Sequence, residues 1–521
     1  MKKVCIYSNV GHFIELYEIQ LEIAQRHLDN GDSVEFLFCD GLIPICEINL
    51  NKEIDICLHC ISRRNQGLKL LKGKYKKREL ISCNKIQDIE EIRKIPKRYS
   101  ELKALLELKI HNFKLGQAVY SSIADIRRED SPNLSEYSSQ VRNFIISSSR
   151  VYFGMNNYIK RHSPNIVYLF NGRHALEQPV IAACKKNKTT FITHEFAANG
   201  GYRLCKNTQP QDFRKRVKIL KSILARDITS DEKKLGESFF IKKIGSRQGK
   251  VTISKINNKI LVNNNSWQKL DDIKKIKSLP LNWNSSKHNV IIFTSSEYEK
   301  NVVPYYKHEK LYPNQCTAIE DITNSIYKIN SNIHFYIKLH PSYNYWHTNT
   351  KEFLSYSKLV LPKNSTLIYP DSELDSYFLI QNCDKVVTFR STAGVESAFL
   401  GKPSISLEHH IISNLQSVYS PKNINDALKL IANTKLDSLS NIDSIKYGLF
   451  QITEGVIPKY YQRNPDISYE NNWGTFKGKK VSPSRVIELS IKRVLNNKRF
   501  TFFRNLIQDH EQKFYYLIYG K

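Results

Sequence analysis

No long apolar run occurs anywhere in the 521 residues, and mean hydropathy is −0.44, so a membrane-spanning helix is not expected. The opening, MKKVCIYSNVGHFIELYEIQ, has only a brief apolar stretch before Glu15 and Glu18. That is the pattern of a first strand and helix rather than a signal peptide, and the expected location is cytoplasmic. Acidic residues are scarce, 50 against 79 basic ones, for a net charge of +29. Such a balance suits a polyanionic neighbour: nucleic acid, an anionic membrane leaflet or an acidic glycan. RNA-binding signatures and zinc-finger spacing are both missing, and the lysines are spread along the chain, so nucleic acid is not an expected partner.

What is present describes a globular protein, 41% apolar and 25% charged, too long for one ordinary core. Ten cysteines in a cytosolic chain are expected to be reduced. Cys39, Cys46, Cys57, Cys60 and Cys83 crowd the first part. Cys57-Leu-His-Cys60, with Cys39 and Cys46 upstream, has the donors for a structural four-thiolate zinc site. The bland alternative is a set of buried free thiols, which the wide spacing of Cys39 and Cys46 favours.

Residues 1–205 open as strand, helix, strand (VCIYSN, FIELYEIQLEIAQRHLDNG, SVEFLFCD), pass through a mostly helical stretch at 85–160, and return with NIVYLFN and TTFITHE around a helix. Residues 206–285 are Lys- and Asn-rich without clear periodicity, and read as an excursion and interdomain linker. A second strand–helix series fills 286–460, and 461–521 reads as basic, aromatic C-terminal helices. Nearly all-apolar strands alternating with helices predict an α/β architecture: two doubly wound, Rossmann-like domains with parallel sheets facing a central cleft. Ligands in such sheets bind at the carboxyl ends of the strands.

Four segments of the second domain lie at such ends. They are Ser295-Ser296-Glu297-Tyr298-Glu299, His340-Pro341, Asp371 through Asp375, and Arg390-Ser391-Thr392 followed by Glu396. Hydroxyls, an imidazole and a guanidinium suit a phosphate, and carboxylates suit sugar hydroxyls. Bland readings exist: Ser391 or Thr392 as a plain N-cap, His340 as a satisfied loop histidine, Glu396 as a solvated side chain, and Gly401-Lys402-Pro403 as a helix stop. All four bland readings holding together along one domain is the weaker account.

KLHP followed by CDKVVTFRSTAGVESAFLGKPSISL resembles the bacterial capsule and surface-polysaccharide biosynthesis glycosyltransferases, GT-B enzymes distantly similar to Kdo transferases and bacterial sialyltransferases. FTSSEYE and DSELDSY fit the same pattern, as do FNGR and THEFAANGG of the first domain. The resemblance implies that His340, with Pro341, binds the nucleotide phosphate, that Ser391 and Thr392 do the same, and that Glu396 sits by the ribose. Ser295, Ser296 and Asp375 join this set. Arg390 departs from the family, where a small residue is usual, and either adds charge to the phosphate site or turns away. The implied activity is transfer of a sugar from a CMP- or UDP-linked donor to a glycan or lipid-linked glycan acceptor.

Asp-x-Asp occurs nowhere in the chain, so leaving-group stabilisation without a required cofactor is the simpler account. An acceptor base is expected from the first domain, with Glu195 first, then His12 and Glu15, and after them His194. Asn171, Arg173 and His194 are expected on the acceptor side. Glu195 has an equally weighted structural reading as a partner of Arg173 or Arg203. Lys492, Arg493, Lys498, Arg499 and Arg504, with Phe500, Phe502, Phe503 and Tyr515, suit docking on an anionic inner leaflet, or a closing helix packed across the first domain. Two further readings keep the fold: a nucleotide-sugar epimerase or hydrolase with an extra carboxylate pair, and a non-catalytic basic scaffold.

Overall fold

Strands whose residues are apolar on both sides can be stable only when both faces are covered, and the chain meets that condition twice. The computed structural model describes residues 1–13, 15–39, 41–247, 277–298, 311–341, 343, 351–408, 410–460 and 483–495. The first sheet contains β1 (Lys3–Ser8), β2 (Ser33–Phe38), β3 (Tyr75–Glu79), β4 (Ile166–Phe170), β5 (Thr190–Phe196) and β6 (Tyr202–Lys206). Their order is β3-β2-β1-β4-β5-β6, parallel except for β6. The second contains β7 (His288–Phe293), β8 (Ile333–Lys338), β9 (Ser365–Ile368), β10 (Lys385–Thr388) and β11 (Ser404–Ser406), all parallel in the order β11-β10-β7-β8-β9.

Alternation sorts each strand between two cores. Cys5 and Tyr7 of β1 pack on one side with the helix Ser138–His162, and Val4 and Ile6 on the other with the helix Leu16–Asp29. In β7, Val290 and Ile292 face one cluster, Ile291 and Phe293 the other. Two strands escape the sequence pattern. β3 (YKKRE) is a charged edge, as edges commonly are. β6 folds back on β5 after Asn199-Gly200, a dipeptide that is itself a hairpin signal, with Gly200 at φ 86°.

The stretch after residue 206 is more ordered than its composition suggests. Phe213–Leu224 and Ser230–Arg247 are helices, and the second crosses the helix Ile442–Thr453 at Gly236 and Gly448. A Cβ on Gly448 would lie 2.3 Å from the Gly236 carbonyl oxygen, so only glycine permits this backbone-to-backbone approach. The expected continuation of the linker through 248–276 lies outside the described residues.

The carboxyl edges of the two sheets are joined. Tyr298, in the loop after β7, accepts a hydrogen bond from Arg128, whose guanidinium also lies 4.9 Å from its ring centre. Arg128 pairs with Asp125 at 3.2 Å, and Asp125 with Arg173 of the loop after β4 at 2.6 Å. After Ile442–Thr453 the chain returns to the first domain. Glu454 binds Arg203 and Arg216, Val456 bridges to Tyr202, and the Lys459 and Tyr460 N–H groups donate to Glu22 at 2.9 and 2.7 Å.

The helix Pro483–Leu495 packs across Ile54–Leu68, with Leu489 buried and Arg493 donating to the Gly41 and Lys52 carbonyls at 3.2 and 2.9 Å. Ile487 and Ile491 on its other side are exposed. Glu299 and the remaining C-terminal candidates, Lys498, Arg499, Arg504, Phe500, Phe502, Phe503 and Tyr515, lie outside the described residues. All ten cysteines are free thiols, and no helix among the described residues is long and apolar enough to cross a membrane.

Candidate functional site

From β7 the second domain winds outward through β8 and β9, then returns to β10 on the other side of β7. Thr388 of β10 aligns with Phe293 of β7, and Phe293 with Lys338 of β8. Residues 389–392, 294–298 and 339–341 therefore leave the sheet side by side, about 4.8 Å between neighbouring strands, at the point where the winding reverses. The His340 N–H donates to Thr294 Oγ1 at 2.9 Å, which ties the histidine loop to the end of β7. Ser295 is clamped by Gln315: its N–H donates to Oε1 at 2.9 Å, and Nε2 donates to its carbonyl at 2.7 Å. Ser296 is buried beside it, whereas Pro341 is exposed.

At the end of β10, Ser391 Oγ accepts from the Ala393 N–H and its carbonyl from the Gly394 N–H, each at 3.2 Å. The helix that follows, Ala393–Phe399, has seven residues, and its first two N–H groups are thus already engaged. A phosphate here would rely on side-chain donors more than on the helix start. Arg390 turns toward Glu408, 4.0 Å away. Glu396 is 3% exposed, and its carboxylate accepts from the Tyr377 hydroxyl at 2.9 Å and binds Lys243, which also reaches Thr392 Oγ1 at 3.1 Å. Lys243 comes from the Lys-rich stretch and carried no signal in the sequence. Asp375 is a correction: it accepts from the Phe378 N–H at 2.7 Å and caps the helix Ser376–Asn382, so its carboxylate is a buried helix cap.

On the first domain, Glu195 stands at the end of β5. Its Oε2 accepts from Asn171 Nδ2 at 2.6 Å and its Oε1 from the Phe196 N–H at 3.0 Å. Asn171, at φ 47°, is oriented in turn by Gln211 at 2.7 Å. The ion pairs of Arg173 and Arg203 go to Asp125 and Glu454, so neither is the carboxylate's partner. His194 points the opposite way from Glu195, as adjacent strand residues must. It is fully buried against Gln20 at 3.1 Å, and burial pushes its pKa down to about 3, which removes it from the acceptor side. His12 and Glu15 are also covered, 4% and 3% exposed. Burial, with His59 and Arg63 nearby, lowers the His12 pKa to about 4. As they stand, neither reaches an acceptor hydroxyl.

A polar cluster that the sequence did not single out lies between β1 and β4. His174 is 3.4 Å from Asp125 and 3.6 Å from Glu177, while Asn9 donates to Glu177. Burial opposes charge on His174, but the two carboxylates outweigh it and hold its pKa above the usual value. Arg173 and its neighbours hold Asp125 well below the usual carboxylate range despite burial. Glu177 is pushed up to about 7 by burial and the charge of Glu47.

Cys39, Cys46, Cys57 and Cys60 do gather, with His12, around one small cavity of about 30 Å³. Among the described residues, however, no three His, Cys, Asp or Glu side chains converge as metal ligands. Cys57 Sγ accepts instead from Asn49 Nδ2 at 3.3 Å. Among the described residues the arrangement therefore agrees with the free-thiol alternative rather than with a four-thiolate site.

His194 yields a pH prediction. Its folded pKa lies below the unfolded value of 6.5, so unfolding takes up a proton and its stabilising contribution, full above 6.5, is lost as pH falls toward 3. Glu177 and Glu352, both raised to about 7 by burial, act with the opposite sign on the whole-protein curve. The comparison is therefore between His194→Gln and wild type in urea melts. Below pH 6.5 their stability difference should move in the variant's favour by up to about 1.4 kcal/mol per pH unit. A difference that does not change with pH would contradict a neutral buried His194.

Residues 211–411, spanning the Lys243 helix and all five strands of the second sheet, match the family model described as capsule polysaccharide biosynthesis protein. No curated protein matches the chain. Among solved structures it is similar to the Thermosulfurimonas dismutans KpsC beta Kdo 2,4 transferase, with 14% identity over 56% of this chain and 88% of that one and a TM-score of 0.30. The KpsC beta Kdo 2,7 transferase of the same organism is 10% identical over 65% and 89%, with a TM-score of 0.31. The S. aureus MnaA–UDP co-structure is 11% identical over 88% and 93%, with a TM-score of 0.28.

Proposed function

We propose, from the premise that residues 211–411 are those of a capsule polysaccharide biosynthesis protein, that the chain is a glycosyltransferase moving a sugar from a nucleotide-sugar donor to a growing surface polysaccharide. The observation that carries the reading is the alignment of three loops, bearing His340, Ser295-Ser296 and Arg390-Ser391-Thr392, at the reversal point of the second sheet. Transfer passes through an oxocarbenium-like state while negative charge grows on the departing phosphate. Donors that strengthen as that charge develops stabilise the transition state more than the bound donor. His340 and the hydroxyls after β10 take this role. Glu195, held by Asn171 on the first domain, takes the proton of the acceptor hydroxyl.

A lipid-linked acceptor on the cytoplasmic leaflet suits the helix Pro483–Leu495, where exposed Ile487 and Ile491 lie on a helix that also carries Arg485. The epimerase or hydrolase reading finds a carboxylate pair in Glu47 and Glu177, but Glu177 is 2% exposed and bonded to Asn9, which favours a structural role.

The test is thermal stabilisation across CMP, UDP, GDP and their sugars. A bound nucleotide at a hundred times its dissociation constant should add about 2.7 kcal/mol, and His340→Ala should abolish the response. If no nucleotide stabilises the protein, the donor-site reading fails. If His340→Ala binds as well as wild type, the phosphate lies elsewhere.

A further inference from the structure

Glu396 is fully engaged before any ligand arrives. One carboxylate oxygen accepts from Tyr377, a buried hydroxyl on the neighbouring helix, and the other holds Lys243. The lysine is delivered by architecture rather than by a flexible loop. The close crossing at Gly236 and Gly448 fixes the helix Ser230–Arg247, and Lys243 lies two turns beyond Gly236 on the same side. Its ammonium also reaches the hydroxyl of Thr392, one of the two hydroxyls that follow β10. Of Lys243 and Tyr377, the lysine is the one that can readily move: it is long and 27% exposed, whereas Tyr377 is buried.

The geometry points to Lys243 as a stand-in for the nucleotide. It holds Glu396 in the absence of donor, and transfers to the donor phosphate when the nucleotide sugar binds, leaving Glu396 to accept from the ribose hydroxyls. The inference rests on the donor-site reading above and supplies what that site otherwise has little of, a cation beside Ser391 and Thr392. The first N–H groups of the short helix are occupied and Arg390 is turned toward Glu408. A charge-assisted bond from an ammonium to phosphate replaces one to carboxylate, and the carboxylate exchanges it for neutral hydroxyl donors. Lysine and carboxylate each keep hydrogen-bond partners in both states.

The experiment compares wild type, Lys243→Met and Lys243→Arg by calorimetric titration with CMP and UDP, and by ligand-observed NMR with cytidine and uridine. Lys243→Met should weaken the nucleotide that wild type prefers by more than tenfold. Lys243→Arg, which keeps the charge, should stay within about threefold of wild type. The matching nucleoside, which has no phosphate to lose, should bind Lys243→Met at least as well as wild type, because Glu396 is vacated. Equal weakening of nucleotide and nucleoside would reduce Lys243 to a structural strut and overturn the inference, as would unchanged nucleotide affinity. A wild-type chain that binds no nucleotide fails at the earlier step and overturns the donor-site reading itself.

Discussion

Glu195→Gln should lower the transfer rate about 10²- to 10⁴-fold while leaving nucleotide affinity and melting temperature close to those of wild type. The substitution is nearly isosteric. Glutamine keeps the size and shape of the side chain, and its single amide oxygen can keep one of the two bonds that fix it, from Asn171 at 2.6 Å or from the Phe196 N–H at 3.0 Å, so the loss should be about 1 kcal/mol and the fold should survive. What is removed is the ability to take a proton. Rate and binding must be measured together, with kcat from sugar transfer and the dissociation constant from titration, because loss of both would indicate a disturbed fold. A variant rate within threefold of wild type would exclude Glu195 as the base. Asn171→Ala provides a graded companion: the carboxylate is kept but its orientation is lost, so the rate should fall by less than in Glu195→Gln.

Arg63→Met should cost about 3–5 kcal/mol of folding stability, a large part of the 5–15 kcal/mol that holds a typical domain together. Arg63 and Glu18 are both 2% exposed and form an ion pair between the helices Ile54–Leu68 and Leu16–Asp29. The same guanidinium donates to the carbonyls of Gly11 and Phe13 at 3.0 and 3.1 Å, pinning the loop after β1. Removing it strands a carboxylate where burial already raises the pKa. The sign of the pH effect follows. In the variant the folded Glu18 pKa should rise further above its unfolded value, so the folded state gains protons and part of the lost stability returns as pH falls from 7 toward 4.5. The double variant Arg63→Met, Glu18→Leu should recover much of the deficit, since neither charge then remains buried. Urea melts at pH 7 and 5 test all three statements. A single-variant loss below 1 kcal/mol would show that the pair does not hold the two helices.

Much of the architecture was legible because its signals are local. The apolar runs at 289–293, 333–337 and 385–389 needed only their own composition to be read as buried parallel strands, and each lies in the second sheet. The loops carrying His340 and Ser391 could be assigned to strand ends for the same reason. β3 was not legible, since the sequence YKKRE has an edge strand's charge without a strand's apolar pattern. The helix Ser230–Arg247 was missed because its apolar residues form no single stripe. It is held by close backbone contact at Gly236 and Gly448, and a glycine in a helix reads locally as a defect.

Sequence alone determined the alternation of most strands with helices, the α/β plan and which polar residues stand at carboxyl ends, because hydrophobic period and turn chemistry act over a few residues. Only the tertiary structure decided which of those residues are available. His194 and Glu195 are neighbours in the chain yet occupy opposite faces of β5, one sealed in the core and one held by Asn171. Asp375 is spent on a helix cap, the four cysteines do not form a metal-binding cluster, and Lys243 reaches Glu396 from 153 residues away. Side-chain partners are set by packing between distant segments, and packing leaves no mark on the local pattern of either one.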